Sequence, residues 1–179
     1  KDITFKDGRS GRLGFVAVEH EYSADGEARL TDLQNIVYRE DPDPDAPAPR
    51  PPEAEGWTTV ASWSACPDAT LLFRYSAVTF NGHRIHYDQP YATGVEGYDG
   101  LVVHGPLQSS WMQNLAAEIF GRMPRRFTYR GLSPLVAGWE VAIEARAASD
   151  GDGALDLRVR RLDDNVTTMA GRAEPAPSG

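Results

Sequence analysis

The segment Asn81-Gly82-His83-Arg84-Ile85-His86-Tyr87-Asp88 holds two of the chain's four histidines. An imidazole whose ordinary pKa is about 6.5 exchanges protons at neutral pH, so His83 or His86 is suited to general acid/base catalysis. A second chemistry is metal binding by His83, His86 and Asp88, since zinc and iron accept imidazole and carboxylate. Against it, the segment does not sit on a clear helix and no distant fourth ligand stands out. A third reading is a polar loop whose histidines are hydrogen-bonded and do nothing more.

A second feature lies downstream. Val103-His104-Gly105-Pro106 joins a short extended stretch to an apolar helix. A helix N-terminus presents free N–H groups and partial positive charge, and a glycine there admits a ligand close to the backbone. Such a site stabilises an oxyanion. Together the two features make sense as one group that moves a proton and another that holds enolate charge on a thioester oxygen. Arg122, Arg125, Arg126 and Arg130 follow the same helix. Guanidinium groups suit bidentate phosphate contact, and equally they suit a helix C-terminus facing water. Tyr75, Tyr87, Tyr91 and Trp111 are either pocket walls or core. Cys66, before Pro67 and with no base beside it, reads as structural.

The elements that must position these groups fall into three pieces. Residues 1–41 read as strands: Leu13, Phe15 and Ala17 alternate with Gly14, Val16 and Val18, Ser23 to Gly26 is a hairpin turn, and a strand follows from about Ala28 to Tyr38. So few strands cannot bury two faces, so this piece is expected to be the tail of a larger unit. Residues 42–56 are proline-rich with hardly an apolar anchor, the composition of a stiff or disordered linker. Residues 57–179 carry a full set of elements. A strand is expected over Trp57–Ser64. A helix capped by Asp68 follows, with Leu71, Leu72, Tyr75 and Val78 at helical spacing. Pro90 opens a further helical turn. A long helix runs over about Pro106–Phe120, striped by Leu107, Trp111, Leu115 and Ile119 with Met112, Ala116 and Phe120 beside them. Val141–Arg146, Leu155–Arg160 and Val166–Arg172 then alternate as strands around the turn Asp150 to Gly153. The expected class is α+β, a curved antiparallel sheet wrapped on one helix.

Composition narrows the function. At 179 residues the chain can bury a sizeable core, and a net charge of −8 argues against a nucleic-acid surface. No apolar run approaches the ~20 residues of a membrane span. The single cysteine excludes an internal disulfide and a multi-cysteine zinc site, and suits a cytoplasmic location. Lys1-Asp2-Ile3-Thr4 has no signal-peptide pattern and no initiator Met, so residues upstream are expected.

Two stretches, RYSAVTFNGHRIHYDQPYA (Arg74 to Ala92) and EGYDGLVVHGPLQ (Glu96 to Gln108), resemble the MaoC-like hotdog hydratases and dehydratases. They are most similar to the branch of mitochondrial 3-hydroxyacyl-thioester dehydratase type 2 and the bacterial mesaconyl-CoA and itaconyl-CoA hydratases. The resemblance covers most of residues 57–140. It implies a hotdog fold, and a double hotdog in which residues 1–41 are the last strands of an incomplete N-terminal repeat and 57–179 the catalytic repeat. It implies reversible hydration of a 2-enoyl thioester of coenzyme A, with no metal and no cofactor apart from the coenzyme A of the substrate. A non-catalytic acyl-CoA-binding subunit and a thioesterase are the alternatives.

Residue by residue, His86 matches the family's histidine, while Asn81 stands where many members have Asp. An amide cannot take a proton at neutral pH, so Asn81 is left to orient water. His83 replaces a common Asn. The implied catalytic set is His86, Asn81 and Gly105. His83, Arg84, Tyr87, His104, Arg125 and Arg126 are the expected substrate-binding residues, with Arg74 or Arg84 the cation for a second substrate carboxylate. The expected assembly is a homodimer or a hotdog pseudo-dimer, without nucleic acid or membrane.

Overall fold

Asp25 and Gly26 both have positive φ, 55° and 78°, the requirement for a two-residue hairpin turn whose twist matches its strands. They join β2 (Gly11–Ala24) to β3 (Glu27–Arg39), and β1 (Asp2–Gly8) pairs along the other side of β2. The computed structural model describes residues 2–8, 11–39, 58–150 and 152–177. The expected linker, residues 42–56, lies outside them. The chain divides into two compact units, Lys1–Pro49 and Arg50–Gly179. In the first, the three antiparallel strands lie in the order β1-β2-β3. Ile3, Phe5, Leu30, Leu33 and Val37 on them are all exposed.

The second unit is built on β4 (Ala61–Ala65), α1 (Ala69–Thr79), α2 (Gln89–Gly94), α3 (Gly105–Phe120), β5 (Arg126–Gly131), β6 (Val141–Ala147), β7 (Leu155–Arg161) and β8 (Thr167–Glu174). Its five strands form one antiparallel sheet in the order β4-β6-β7-β8-β5. Every strand of this sheet touches α3. The reason is the period-two pattern: Val141, Ile143 and Ala145, then Leu155, Leu157 and Val159, turn inward to meet Met112, Leu115 and Ala116 of the helix, all buried. This is the α+β hotdog arrangement, a sheet curled on a central helix.

Four details differ from the sequence reading. The expected strand over 57–64 is shorter and later, Ala61–Ala65. On α1 the inward face is Leu72 and Ser76 with Tyr75 half-buried, while Leu71 and Val78 are 37% and 74% exposed. Two i, i+3/i+4 lines share Tyr75, and spacing alone cannot choose between them. On α3, Leu107, Met112, Leu115 and Ala116 are buried, but Ile119 at the last turn is 39% exposed, so the helix emerges from the core at its C-terminal end. The arginine-bearing stretch after α3 forms the edge strand β5, Phe127 turned toward the core between Arg126 and Thr128. Among the described residues no helix is long and apolar enough to cross a membrane, which says nothing of a β-barrel.

Candidate active site

The loop after α1 is set by the way the helix ends. Phe80 takes the left-handed conformation, φ 53°, and the Asn81 N–H then bonds the Ser76 carbonyl at 2.9 Å. The Asn81 side chain closes the next turn, its Oδ1 accepting from the His83 N–H at 3.0 Å. A 3-10 turn, Arg84–His86, follows, and the Tyr87 hydroxyl reaches back to the Gly82 carbonyl at 2.8 Å. Asp88 Oδ1 accepts from the Tyr91 N–H and so caps α2, while its Oδ2 takes Arg84 Nε and Nη2 at 3.0 and 2.7 Å. The Arg84 guanidinium also lies 4.0 Å over the Tyr91 ring. Arg84 and Asp88 hold each other charged: their mutual hydrogen bonds push the guanidinium up and the carboxyl down from their usual values.

Val102 clamps this loop to the approach of α3 at two points. Its N–H donates to the Ile85 carbonyl at 2.9 Å, and its own carbonyl receives His86 Nδ1 at 2.6 Å. A carbonyl only accepts, so the proton of neutral His86 sits on Nδ1. The Nε2 lone pair is therefore the basic atom. His86 is 7% exposed, and burial is the main cause holding its pKa below the ordinary value, partly opposed by the Val102 carbonyl. At neutral pH the ring is neutral and able to take a proton.

His104 lies against the face of His86, with ring centroids 3.7 Å apart and planes 18° from parallel. It is fully buried, its Nε2 2.9 Å from Ser76 Oγ and its ring edge-on to Tyr75 at 4.8 Å. Burial, then the charge of His86, pushes its pKa down to about 4, so it is neutral at neutral pH. Gly105 begins α3. The first hydrogen bond of that helix end runs from Gln108 N–H to the His104 carbonyl, which leaves the Gly105 N–H outside the helix ladder. A Cβ on Gly105 would meet Met169 Cε at an ordinary 3.7 Å. Packing within the chain therefore does not demand glycine here, and its effect is to leave the N–H approachable.

The profile of the hydroxyacyl-thioester dehydratase type 2 family matches residues 3–137. The chain belongs to that family. Mesaconyl-C(4)-CoA hydratase of Chloroflexus aurantiacus is 45% identical over 135 residues, 75% of this chain and 48% of that protein. Mitochondrial hydroxyacyl-thioester dehydratase type 2 of Schizosaccharomyces pombe is 41% identical over 76 residues, 41% of this chain and 25% of the other. The chain thus spans about half the length, or less, of these curated relatives. Among solved structures, a MaoC-like dehydratase from Phytophthora capsici superposes with a TM-score of 0.74 at 14% identity, covering 99% of this chain and 63% of that one. An (R)-hydratase from A. caviae superposes at 0.55 with 18% identity, covering 69% of this chain and all 100% of the other. At such identities the likeness is one of fold.

Within this family member the residues named from sequence part into two groups. The His83, His86 and His104 rings come together, with Gly105 next after His104 at the start of α3, while the Asn81 side chain contacts the His83 N–H. His83 is exposed and edge-on to His86 at 5.5 Å. Arg84 and Tyr87 lie in the same loop, but their polar atoms are engaged in holding it. Arg125 and Arg126 stand apart, beyond the C-terminal end of α3, a 16-residue helix roughly 24 Å long that has Gly105 at its other end. Arg125 makes a loose 3.7 Å pair with Glu174, and Arg122 donates to the Ala176 and Pro177 carbonyls. Asp88, taken by Arg84 and the α2 cap, does not converge with the imidazoles, and among the described residues no group of three or more His, Cys, Asp or Glu side chains is arranged to hold a metal ion.

Two parts of the site went unread in the sequence. The Val102 carbonyl sets the His86 tautomer, and a backbone group has no sequence signal. Ser76 carries no signal in the helical spacing of α1, yet it is 6% exposed and bonded to His104.

Proposed function

We propose that the protein is a hydro-lyase that adds water reversibly across the double bond of a 2-enoyl-CoA thioester. The observation that carries this reading is the His86 Nδ1 bond to the Val102 carbonyl, which leaves Nε2 as a base in a buried setting beside the start of α3. In the hydration direction Nε2 takes a proton from water as the oxygen bonds to C3. The electron pair of the double bond moves to the thioester oxygen as an enolate, held by the Gly105 N–H and the helix dipole. The protonated Nε2 then delivers its proton to C2, so the imidazole is regenerated and no redox cofactor or metal is needed. Asn81, whose Oδ1 is already bonded to the His83 N–H, orients the water through its amide.

The name of the Chloroflexus relative supports a branched dicarboxylic substrate. For its second carboxylate Arg84 is the better-placed cation, because it lies in the loop that carries His86 and its guanidinium already pairs with a carboxylate, Asp88, whereas Arg74 projects from the side of α1 opposite Leu72 and Ser76. Arg125 and Arg126 serve the phosphates of coenzyme A, away from the reacting atoms. In this reading the strands of residues 1–41 belong to an N-terminal hotdog repeat joined by 42–56 to the catalytic repeat, the assembly is a hotdog dimer or pseudo-dimer, and the location is cytoplasmic. Following the enoyl-thioester absorbance of crotonyl-CoA and mesaconyl-CoA together with free thiol tests the reading. Loss of absorbance without thiol release is expected. Thiol release, or no change with either substrate, would contradict it.

A further inference from the structure

We infer that Ser76 and His104 form a positioning pair, in which the Ser76 hydroxyl locks the His104 ring and the locked ring holds the face of His86 in its productive orientation. The inference rests on the reading of His86 as the base. Neither residue of the pair touches the reacting atoms in it. His104 was expected to bind substrate, but its burial is complete and its neighbours are Ser76, Tyr75 and His86.

The tautomer follows from which atom is left alone. His104 Nε2 bonds Ser76 Oγ at 2.9 Å, and His104 Nδ1 is buried with no partner. If Nδ1 carried the proton, a buried N–H donor would be orphaned. With the proton on Nε2, only a lone pair is, which costs less. His104 is therefore Nε2–H, donating to Ser76, and His86 is Nδ1–H, donating to Val102. The two stacked rings carry opposite tautomers, each fixed by a different element.

Ser76 ties these elements together. Its carbonyl accepts the Asn81 N–H that shapes the catalytic loop, while its hydroxyl holds the ring at the N-cap of α3. His86 is then held at its edge by Val102 and on its face by His104. Both restraints are needed because a 3-10 turn of three residues, Arg84–His86, is a weak platform by itself.

Histidine 15N chemical shifts in the intact protein test the pair without reference to activity. Wild type is expected to show His104 as a neutral Nε2–H ring and His86 as Nδ1–H. In Ser76→Ala the fixed His104 signature is lost, and Ser76→Thr, which keeps a hydroxyl, restores it. In the hydration assay, Ser76→Ala lowers kcat by about tenfold or more with KM nearly unchanged, as misplacement of a base predicts. A wild-type His104 protonated on Nδ1, or a Ser76→Ala protein with wild-type shifts and kcat, overturns the inference. Absence of hydration by wild type with the expected shifts present would instead sink the proposed reaction and leave the ring geometry standing.

Discussion

Glu144 offers a quantitative test of how the sheet beneath the site is held. It lies in β6 directly opposite Arg158 of β7. Its carboxylate accepts Arg158 Nε at 2.7 Å and Arg160 through Nε at 3.0 and Nη2 at 2.9 Å, in a residue only 7% exposed. In Glu144→Gln one acceptor becomes an NH2 that faces a guanidinium. Breaking a buried pair costs ~3–5 kcal/mol. The Arg158 and Arg160 side chains remain 11% and 17% exposed, so water takes up part of the loss and about 2–3 kcal/mol is expected. That lowers Tm by about 10 °C for a unit of this size.

The pH dependence has a definite sign. Hydrogen bonds from Arg160, then Arg158, hold the Glu144 carboxyl below its usual range, although burial pushes the other way. A depressed native pKa gives stability that is present above the unfolded-state carboxylate pKa and is lost as pH falls through the native value. Urea melts of wild type against Glu144→Gln should therefore converge in acid and separate at neutral pH, with m-values unchanged. The exposed pairing of Arg172 with Asp152 serves as a contrast, since water and salt screen it and Asp152→Asn should leave the midpoint nearly unmoved. A Glu144→Gln loss under about 1 kcal/mol, or the same separation at all pH values, would refute the reasoning.

Three further outcomes are expected. Because burial holds His86 below its ordinary 6.5, kcat/KM for hydration should be flat at neutral pH and fall below an inflection under 6.5; an inflection on the alkaline side contradicts a neutral buried base. Leu115, fully buried on α3, should cost ~3 kcal/mol when cut to Ala, while Ile119→Ala, at a position 39% exposed, should cost far less in the same denaturant titration. Gly100→Ala would put a Cβ 2.8 Å from Val136 Cγ1 where the segment before α3 bridges to Val136, costing ~1–3 kcal/mol; Gly94→Ala, which meets nothing within 4 Å, should be close to neutral.

What was legible in the sequence was whatever repeats or caps. The period-two runs at 141–146 and 155–160, the Asp68 cap and the apolar stripe of α3 are all local patterns, and the structure has them. The edge strand β5 is hidden in the sequence by its arginines, although Phe127 and Tyr129 alternate with Arg126, Thr128 and Arg130. The inward face of α1 was beyond reach, since Ser76 is buried by its bond to a histidine 28 residues away. In the site, residue types pointed to His86 and Gly105. The atom that makes His86 a base through Nε2 is the Val102 carbonyl, brought there by the fold alone.

The central claim is that His86 Nε2 moves the proton in hydration. The most direct measurement is the rate of crotonyl-CoA and mesaconyl-CoA absorbance loss for wild type and His86→Ala, with folding of both checked by circular dichroism. The account predicts turnover by wild type of at least one substrate and a loss of ~10²–10⁴-fold in kcat for the variant. A folded His86→Ala protein that keeps wild-type turnover would contradict it.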